Sequence, residues 1–317
     1  MFKPFKRHAA WLAAALCAAG TAHADVVKLV VPFAAGGPVD AVARVVGQAL
    51  STTLGDTVVI ENRGGAGATI GSNYVAKAAP DGKTLLIATA SYVMAAGAMP
   101  KLPYDPRKDL APLAMLGEVQ TLLVVRPSLG VKTLDELIAK GKSGQRLAYG
   151  SAGVGSTMHV GGALLNSAAG IHMVHVPYRG AAPALVDLMA GQIDVLNADV
   201  PVLQPYVKDG RLTALVIYDT KRSPYLPDVP NAVEAGQPQL QETNWYGAFA
   251  PSGTPPEVRK KLETAFLKAL AMPETAKALR DAGLNGPMDA AQFQKKIDSE
   301  FDRWIPFMKA NHIVITE

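Results

Sequence analysis

The chain is 317 residues long, holds a single cysteine and carries a formal net charge of +4. That length exceeds what one hydrophobic core usually encloses, so two domains are expected. The cysteine and most of the net charge lie in the first 24 residues, and the rest of the chain excludes the function classes that depend on them.

Lys3, Lys6 and Arg7 form a basic start, residues 9–20 an apolar, alanine-rich run, and Ala22-His23-Ala24 the small-x-small pattern that signal peptidase reads. The run is too short for a hydrocarbon core that needs about 20 residues. A leader of residues 1–24 is therefore expected, cleaved after Ala24 on export to the periplasm so that the mature chain starts at Asp25. Leu16 stands before Cys17 where lipoprotein processing requires a small residue, so no lipid anchor is expected. The remaining 293 residues carry a net charge of +1 and no basic stripe of the kind nucleic-acid binding needs. They contain no thiol, which removes disulfides, thiolate zinc sites and cysteine nucleophiles.

Beyond the leader, short β-branched runs alternate with helical patterns. Residues 26–31 read as a strand, and Val39, Val42, Val46, Leu50 and Leu54 recur behind it at helical spacing. Further strands are expected at 58–61, 84–88, 122–125, 146–149, 173–176, 193–196 and 212–217. Helical patterns fill most gaps, among them 183–190 and 201–208. From 256 to 308 the periodicity is helical, broken at Pro273 and around 283–287. This alternation predicts an α/β fold with parallel sheets covered by helices on both faces. Segments 118–127 and 243–251 read as crossings between lobes. The expected organisation is two doubly wound lobes with a central cleft, the first made of 25–121 plus 247–317 and the second of 122–246.

In open parallel sheets ligands bind at the carboxyl ends of strands, where loops lead into helix N-termini. The first such loop is Pro32-Phe33-Ala34-Ala35-Gly36-Gly37-Pro38-Val39-Asp40. Gly36 and Gly37 allow a tight turn with uncovered amides, Pro38 suits the first helical position, and the helix dipole favours an anion there. A plain β–α turn with Asp40 as a first-turn acid is the alternative. The second loop, Gly150-Ser151-Ala152-Gly153-Val154-Gly155-Ser156-Thr157, repeats the arrangement in the other lobe. One of Ser156 and Thr157 can cap the helix, but three hydroxyls, Ser151 included, exceed what a cap requires. Two such loops could grip one carboxylate from both sides.

Other strand ends supply Thr89 and Ser91, Tyr178 and Arg179, and Asp199, each of which could instead be turn chemistry. Arg179 could pair with a second carboxylate and Asp199 with an ammonium. Trp245 and Tyr246 lie on the second crossing, where an aromatic could close the pocket floor or pack in the core. The cluster Gly64-Gly65-Ala66-Gly67-Ala68-Thr69-Ile70-Gly71 fails both the dinucleotide and the P-loop spacing, and no Gly-x-Ser-x-Gly elbow exists. Ser156 and His159 share a helix face, but a hydrolase reading lacks an orienting acid. His172 and His175 should face opposite sides of a strand. No catalysis, cofactor or metal is expected.

These blocks resemble one family closely. The chain is similar to Bug proteins, the periplasmic receptors associated with tripartite tricarboxylate transporters, from about residue 30 to about residue 283. The resemblance is carried by the Val31-to-Arg44 segment, Val59-Ile60-Glu61-Asn62-Arg63-Gly64-Gly65-Ala66-Gly67, Ala79-Pro80-Asp81-Gly82-Lys83-Thr84 and Leu102-Pro103-Tyr104-Asp105-Pro106. Tyr149-Gly150-Ser151-Ala152-Gly153, His175-Val176-Pro177-Tyr178-Arg179-Gly180 and Pro251-Ser252-Gly253-Thr254-Pro255 continue it. It implies a periplasmic binding protein-like (Venus flytrap) fold acting as a monomer on a small carboxylate. Phe33, Ala34, Gly36 and Gly37 would then face Ser151, Ala152, Ser156 and Thr157 across the ligand. The implied partners are transporter membrane subunits or, for a sensory relative, a membrane kinase. The chain departs from the family at Met94-Ala95-Ala96-Gly97-Ala98, which replaces an Asn-Pro pair on one wall.

Overall fold

A computed structural model describes residues 25–99, 101–311 and 313; the leader expected at 1–24 lies outside them. β1 (Val26–Val31) places Val27, Leu29, Val30 and Val31 in the core, and α1 (Pro38–Leu54) follows. Pro38 opens α1, and Gly55 closes it in the left-handed conformation that glycine adopts without a Cβ penalty. β2 (Thr57–Asn62), α2 (Thr69–Ala76), β3 (Thr84–Thr89) and α3 (Ser91–Ala98) continue the alternation.

β4 (Leu110–Val125) is 16 residues long and runs through both halves of the molecule. α4 (Leu134–Lys142), β5 (Leu147–Ser151), α5 (Thr157–Ala169), β6 (Met173–Pro177), α6 (Ala181–Met189), β7 (Val195–Asp199), α7 (Val200–Lys208) and β8 (Thr213–Ile217) form the second half. The chain returns along β9 (Thr243–Pro251) and finishes with α8 (Pro256–Ala271), α9 (Pro273–Asp281), the short β10 (Met288–Asp289) and α10 (Ala290–Ala310).

The strand order is β2-β1-β3-β9-β4-β7-β5-β6, with β8 and β10 pairing β4 off this path. β1 is parallel to β2 and β3, and β5 is parallel to β6 and β7. The two antiparallel strands, β4 and β9, connect these parallel sets. Leu110 to Gln120 pair with β9, whereas Thr121 to Val125 pair with β7 and β8. The fold is thus two α/β lobes around a central cleft, joined by the crossing strands.

Sequence reading places a crossing strand at 118–127, with 122–125 as its regular part, and misses 110–117. Pro112 and Gly117 interrupt the pattern of 110–120, because proline gives no ladder donor and glycine marks bulges. The register shifts at both places, between Pro112 and Ala114 and between Met115 and Gly117, so the strand continues through irregularities that obscure it in sequence.

The C-terminal helices pack on the first lobe. A Cβ at Gly247 would fall 2.2 Å from the Phe293 ring of α10, so glycine is what lets that ring lie against β9. Phe293 meets Trp245 edge-on at 4.9 Å, and both are fully buried. Trp245 is therefore a core residue, while Tyr246, next along the strand, faces the cleft. Among the described residues no helix is long and apolar enough to cross a membrane.

Candidate ligand-binding cleft

Between the lobes lies a cavity of about 660 Å³, counting its open mouth. The first-lobe wall contains Phe33, Ala34, Gly37, Thr89 and Ser91. The second-lobe wall contains Ala152, Ser156, Thr157, Arg179 and Asp199. The structure brings these ten sequence-selected residues to one surface. Tyr246, raised as a possible floor of the pocket, borders it too, and so do Pro38, Val39, Met158, Ala198 and Asn244, which sequence reading does not select.

Four other selected residues lie off that surface and have other partners. Asp40 is 3% exposed, and its carboxylate accepts from Gly36 N–H (3.0 Å), Arg44 (2.9 and 3.1 Å) and Asn62 (3.0 Å). Burial alone would raise its pKa, but these hydrogen bonds outweigh burial and hold it below the ordinary carboxylate value. Asp40 therefore clamps the first loop onto β2 and takes up the Gly36 amide. Ser151 is fully buried, with its Oγ 2.6 Å from His175 Nε2 and 3.1 Å from both the N–H and the carbonyl of Gly153. The Tyr178 hydroxyl donates to Asp187 at 2.7 Å, which turns it away along α6.

The helix starts present donors to the cavity. Among the described residues the backbone N–H groups of Gly37, Val39 and Met158 have no protein acceptor. Gly37 and Val39 begin α1 and Met158 begins α5, so two helix N-termini with open amides face one space. Three hydroxyls stand beside them. Thr157 N–H donates to Ser91 Oγ at 3.2 Å across the cleft, and Ser91 N–H donates to Thr89 Oγ1 at 3.3 Å. Those two oxygens act as acceptors inside the protein, which leaves their protons, with that of Thr157, for a guest. Ser156 is spent otherwise: it caps α5 by accepting from His159 N–H and donates to the Gly153 carbonyl.

Behind the second loop two imidazoles stack with centroids 3.9 Å apart. His159 Nδ1 accepts from Gly155 N–H, and His175 holds Ser151. Burial, with a contribution from His175, lowers His159 to about 3, and burial lowers His175 to about 4. Both rings are neutral at physiological pH and fix the loop from the rear. Ser156 and His159, which share a helix face, make no side-chain pair, because Ser156 Oγ and His159 Nδ1 are each committed to backbone. His172 precedes β6 and is exposed, whereas His175 turns inward to stack on His159.

The lobes touch at the rim of the cleft. A Cβ at Gly67 would lie 2.1 Å from the Val154 carbonyl oxygen, and one at Gly155 would lie 3.1 Å from Ala95 Cα. The unusual Met94-to-Ala98 segment thus forms α3, and Ala95 packs on the second loop, while Ser91 at its start borders the cavity. Among the described residues no cluster of three or more His, Cys, Asp or Glu could hold a metal ion.

The family model of the tripartite tricarboxylate transporter family receptor matches residues 42–313. The structure of the periplasmic binding protein BugD is 31% identical, with a TM-score of 0.85 over 91% of this chain and 98% of that one. MatC from Rhodopseudomonas palustris, solved with malate, is 36% identical, with a TM-score of 0.84 over 89% and 98%. A second R. palustris protein, solved with adipate, is 32% identical, with a TM-score of 0.85 over 91% and 97%. By fold, cleft and sequence the chain belongs to the receptor family of the tripartite tricarboxylate transporters.

Proposed function

We propose that the protein is an extracytoplasmic solute-binding receptor that closes two lobes on a small carboxylate and delivers it to the membrane subunits of a tripartite tricarboxylate-type transporter. The observation that carries this reading is the convergence of the open Gly37, Val39 and Met158 amides on one cavity. An anion there meets two positive helix ends without an obligatory cation, and Thr89, Ser91 and Thr157 add neutral donors. The malate and adipate bound by the two R. palustris relatives support the same ligand class. We assign residues 25–121 and 247–317 to the first lobe and 122–246 to the second, with β4 and β9 as the hinge. The role is binding without turnover, since the Ser151–His175 contact is buried and serves the loop.

Thermal unfolding with a panel of mono-, di- and amino-carboxylates tests this. Ligand at 100 times its Kd adds about 2.7 kcal/mol of stability, which is a rise in Tm of about 5–10 °C for a chain of this size. Gly37→Leu should abolish the rise. Gly37 has φ −81°, and the nearest atom to an added Cβ is the Ala34 oxygen at 3.4 Å, so the backbone accepts a side chain that then covers the amides. A panel with no stabilising acid, or an undiminished rise in the variant, would overturn the proposal.

A further inference from the structure

One anionic side chain in the cavity wall has no part in gripping a carboxylate. Asp199 ends β7 and immediately precedes α7, where an aspartate ordinarily caps the helix. Its carboxylate makes no cap bond. It reaches instead to β9, where Oδ2 accepts from the Tyr246 hydroxyl at 2.8 Å and Asn244 Nδ2 lies 3.1 and 3.3 Å from its two oxygens. Two donors do not saturate a carboxylate, which offers about four lone-pair sites. Burial pushes its pKa up to about 6 against the pull of those hydrogen bonds, and no cation acts on it. Asn244 is itself fixed, because its Oδ1 accepts from Ala90 N–H at 3.2 Å. The arrangement holds a negative charge in place at the cavity surface without a protein counter-ion.

The cavity therefore has two unlike poles. Open amides and hydroxyls at the helix starts call for an anion, whereas Asp199 calls for a hydrogen-bearing cation. A second ligand carboxylate at the Asp199 pole would meet like charge in a half-buried setting. The exposed Arg179 at the mouth makes no ion pair with Asp199 and does not offset it. We propose that Asp199 is the specificity-determining residue of the cleft, selecting a ligand that joins a carboxylate to a protonated amine. Asn244 and Tyr246 position it. The inference rests on the carboxylate-binding reading above and narrows it.

Calorimetric titration at pH 7.5 separates the two. The ligands are butyrate and valerate, the matched diacids succinate and glutarate, and the same acids carrying an amine at C2 or at the far carbon. In the native protein at least one amino acid of the set should bind about tenfold or more tighter than both its parent monoacid and the matched diacid. Asp199→Asn should weaken that ligand about 10- to 100-fold, the effect of losing one charged hydrogen bond. It should leave the monoacid unchanged and improve the diacid. Tyr246→Phe, which keeps the charge, should retain the preference for the amine. A diacid that binds tightest, with a ranking unchanged in Asp199→Asn, overturns the inference while the carboxylate reading stands. Uniform weakening of every ligand by Asp199→Asn would assign the residue a structural role only. Silence of the whole set in the native protein would remove both.

Discussion

Glu242 provides a sharp test of the energetics of the hinge. It is fully buried immediately before β9, with Oε2 accepting from Asn197 Nδ2 at 3.1 Å and lying 3.1 Å from Thr121 Oγ1. Its other oxygen, Oε1, and Asn197 Oδ1 have no partner among the described residues. Burial raises its pKa from 4.5 to about 8; Asp199 and Glu300 add repulsion, and the bonds from Asn197 and Thr121 oppose the rise. The nearby Tyr218 is neutral, with a pKa well above 10. A carboxyl whose folded pKa exceeds its unfolded value binds a proton on folding. The stability that Glu242 contributes is therefore complete below about pH 4.5 and is lost as pH rises through about 8. At 1.36 kcal/mol per pH unit, the loss at pH 7 is on the order of 3 kcal/mol. Glu242→Gln removes the ionisation and keeps the shape of the side chain. The variant should melt about 5–10 °C above the native protein at pH 7.5, with the gap closing towards pH 5. Thermal unfolding of both proteins across that range checks it, and the difference between them cancels every titrating group not coupled to Glu242. Parallel curves, or a variant less stable at every pH, would refute the assignment of Glu242 as a buried acid held neutral at a cost.

Two further outcomes are expected. Gly67→Ala places a Cβ against the Val154 carbonyl at a φ of +60° that alanine tolerates poorly, so the lobes should fail to close fully. Small-angle scattering should then show a ligand-induced decrease in radius of gyration in the native protein and a smaller one in the variant, with ligand affinity reduced in parallel; identical compaction would show that this contact does not govern closure. Intact-mass measurement of the periplasmic protein should give a chain starting at Asp25, and a retained leader or a lipid on Cys17 would contradict the processing pattern.

Much of the fold was legible because each lobe repeats one local pattern. β-branched runs of five or six residues lead into amphipathic helices, and Pro38, Gly55 and Pro256 punctuate them where helix ends require. What could not be read locally is the first half of β4, residues 110–117, which owe their strand conformation to pairing with β9 more than a hundred residues later. The same limit applies to the site. Loops at strand ends announced Gly37, Ser156 and Thr157, but nothing local distinguished Gly37, whose amide is open, from Gly36, whose amide is held by Asp40. Ser151 read as a donor to a guest because its buried partner, His175, arrives from a neighbouring strand.

The register between distant strands decides what the cleft can select. β4 pairs Thr121 with Asp199 on one side and Gln120 with Thr243 on the other, so β4 lies between the ends of β7 and β9. Asn244 and Tyr246, two apart on β9, consequently turn to the same side and reach Asp199 from 45 and 47 residues away. A shift of one residue in the β4–β9 register would present Thr243 and the core residue Trp245 to the cavity instead, leaving Asp199 without its two donors. The anion-binding pole is thus built from local rules, glycine turns and helix starts, which any doubly wound lobe can supply. The opposing pole exists only because two crossing strands hold a fixed register. On the proposed reading, selectivity in this cleft is a property of the crossing strands, whose register shifts at Pro112 and Gly117 although neither residue lines the cavity.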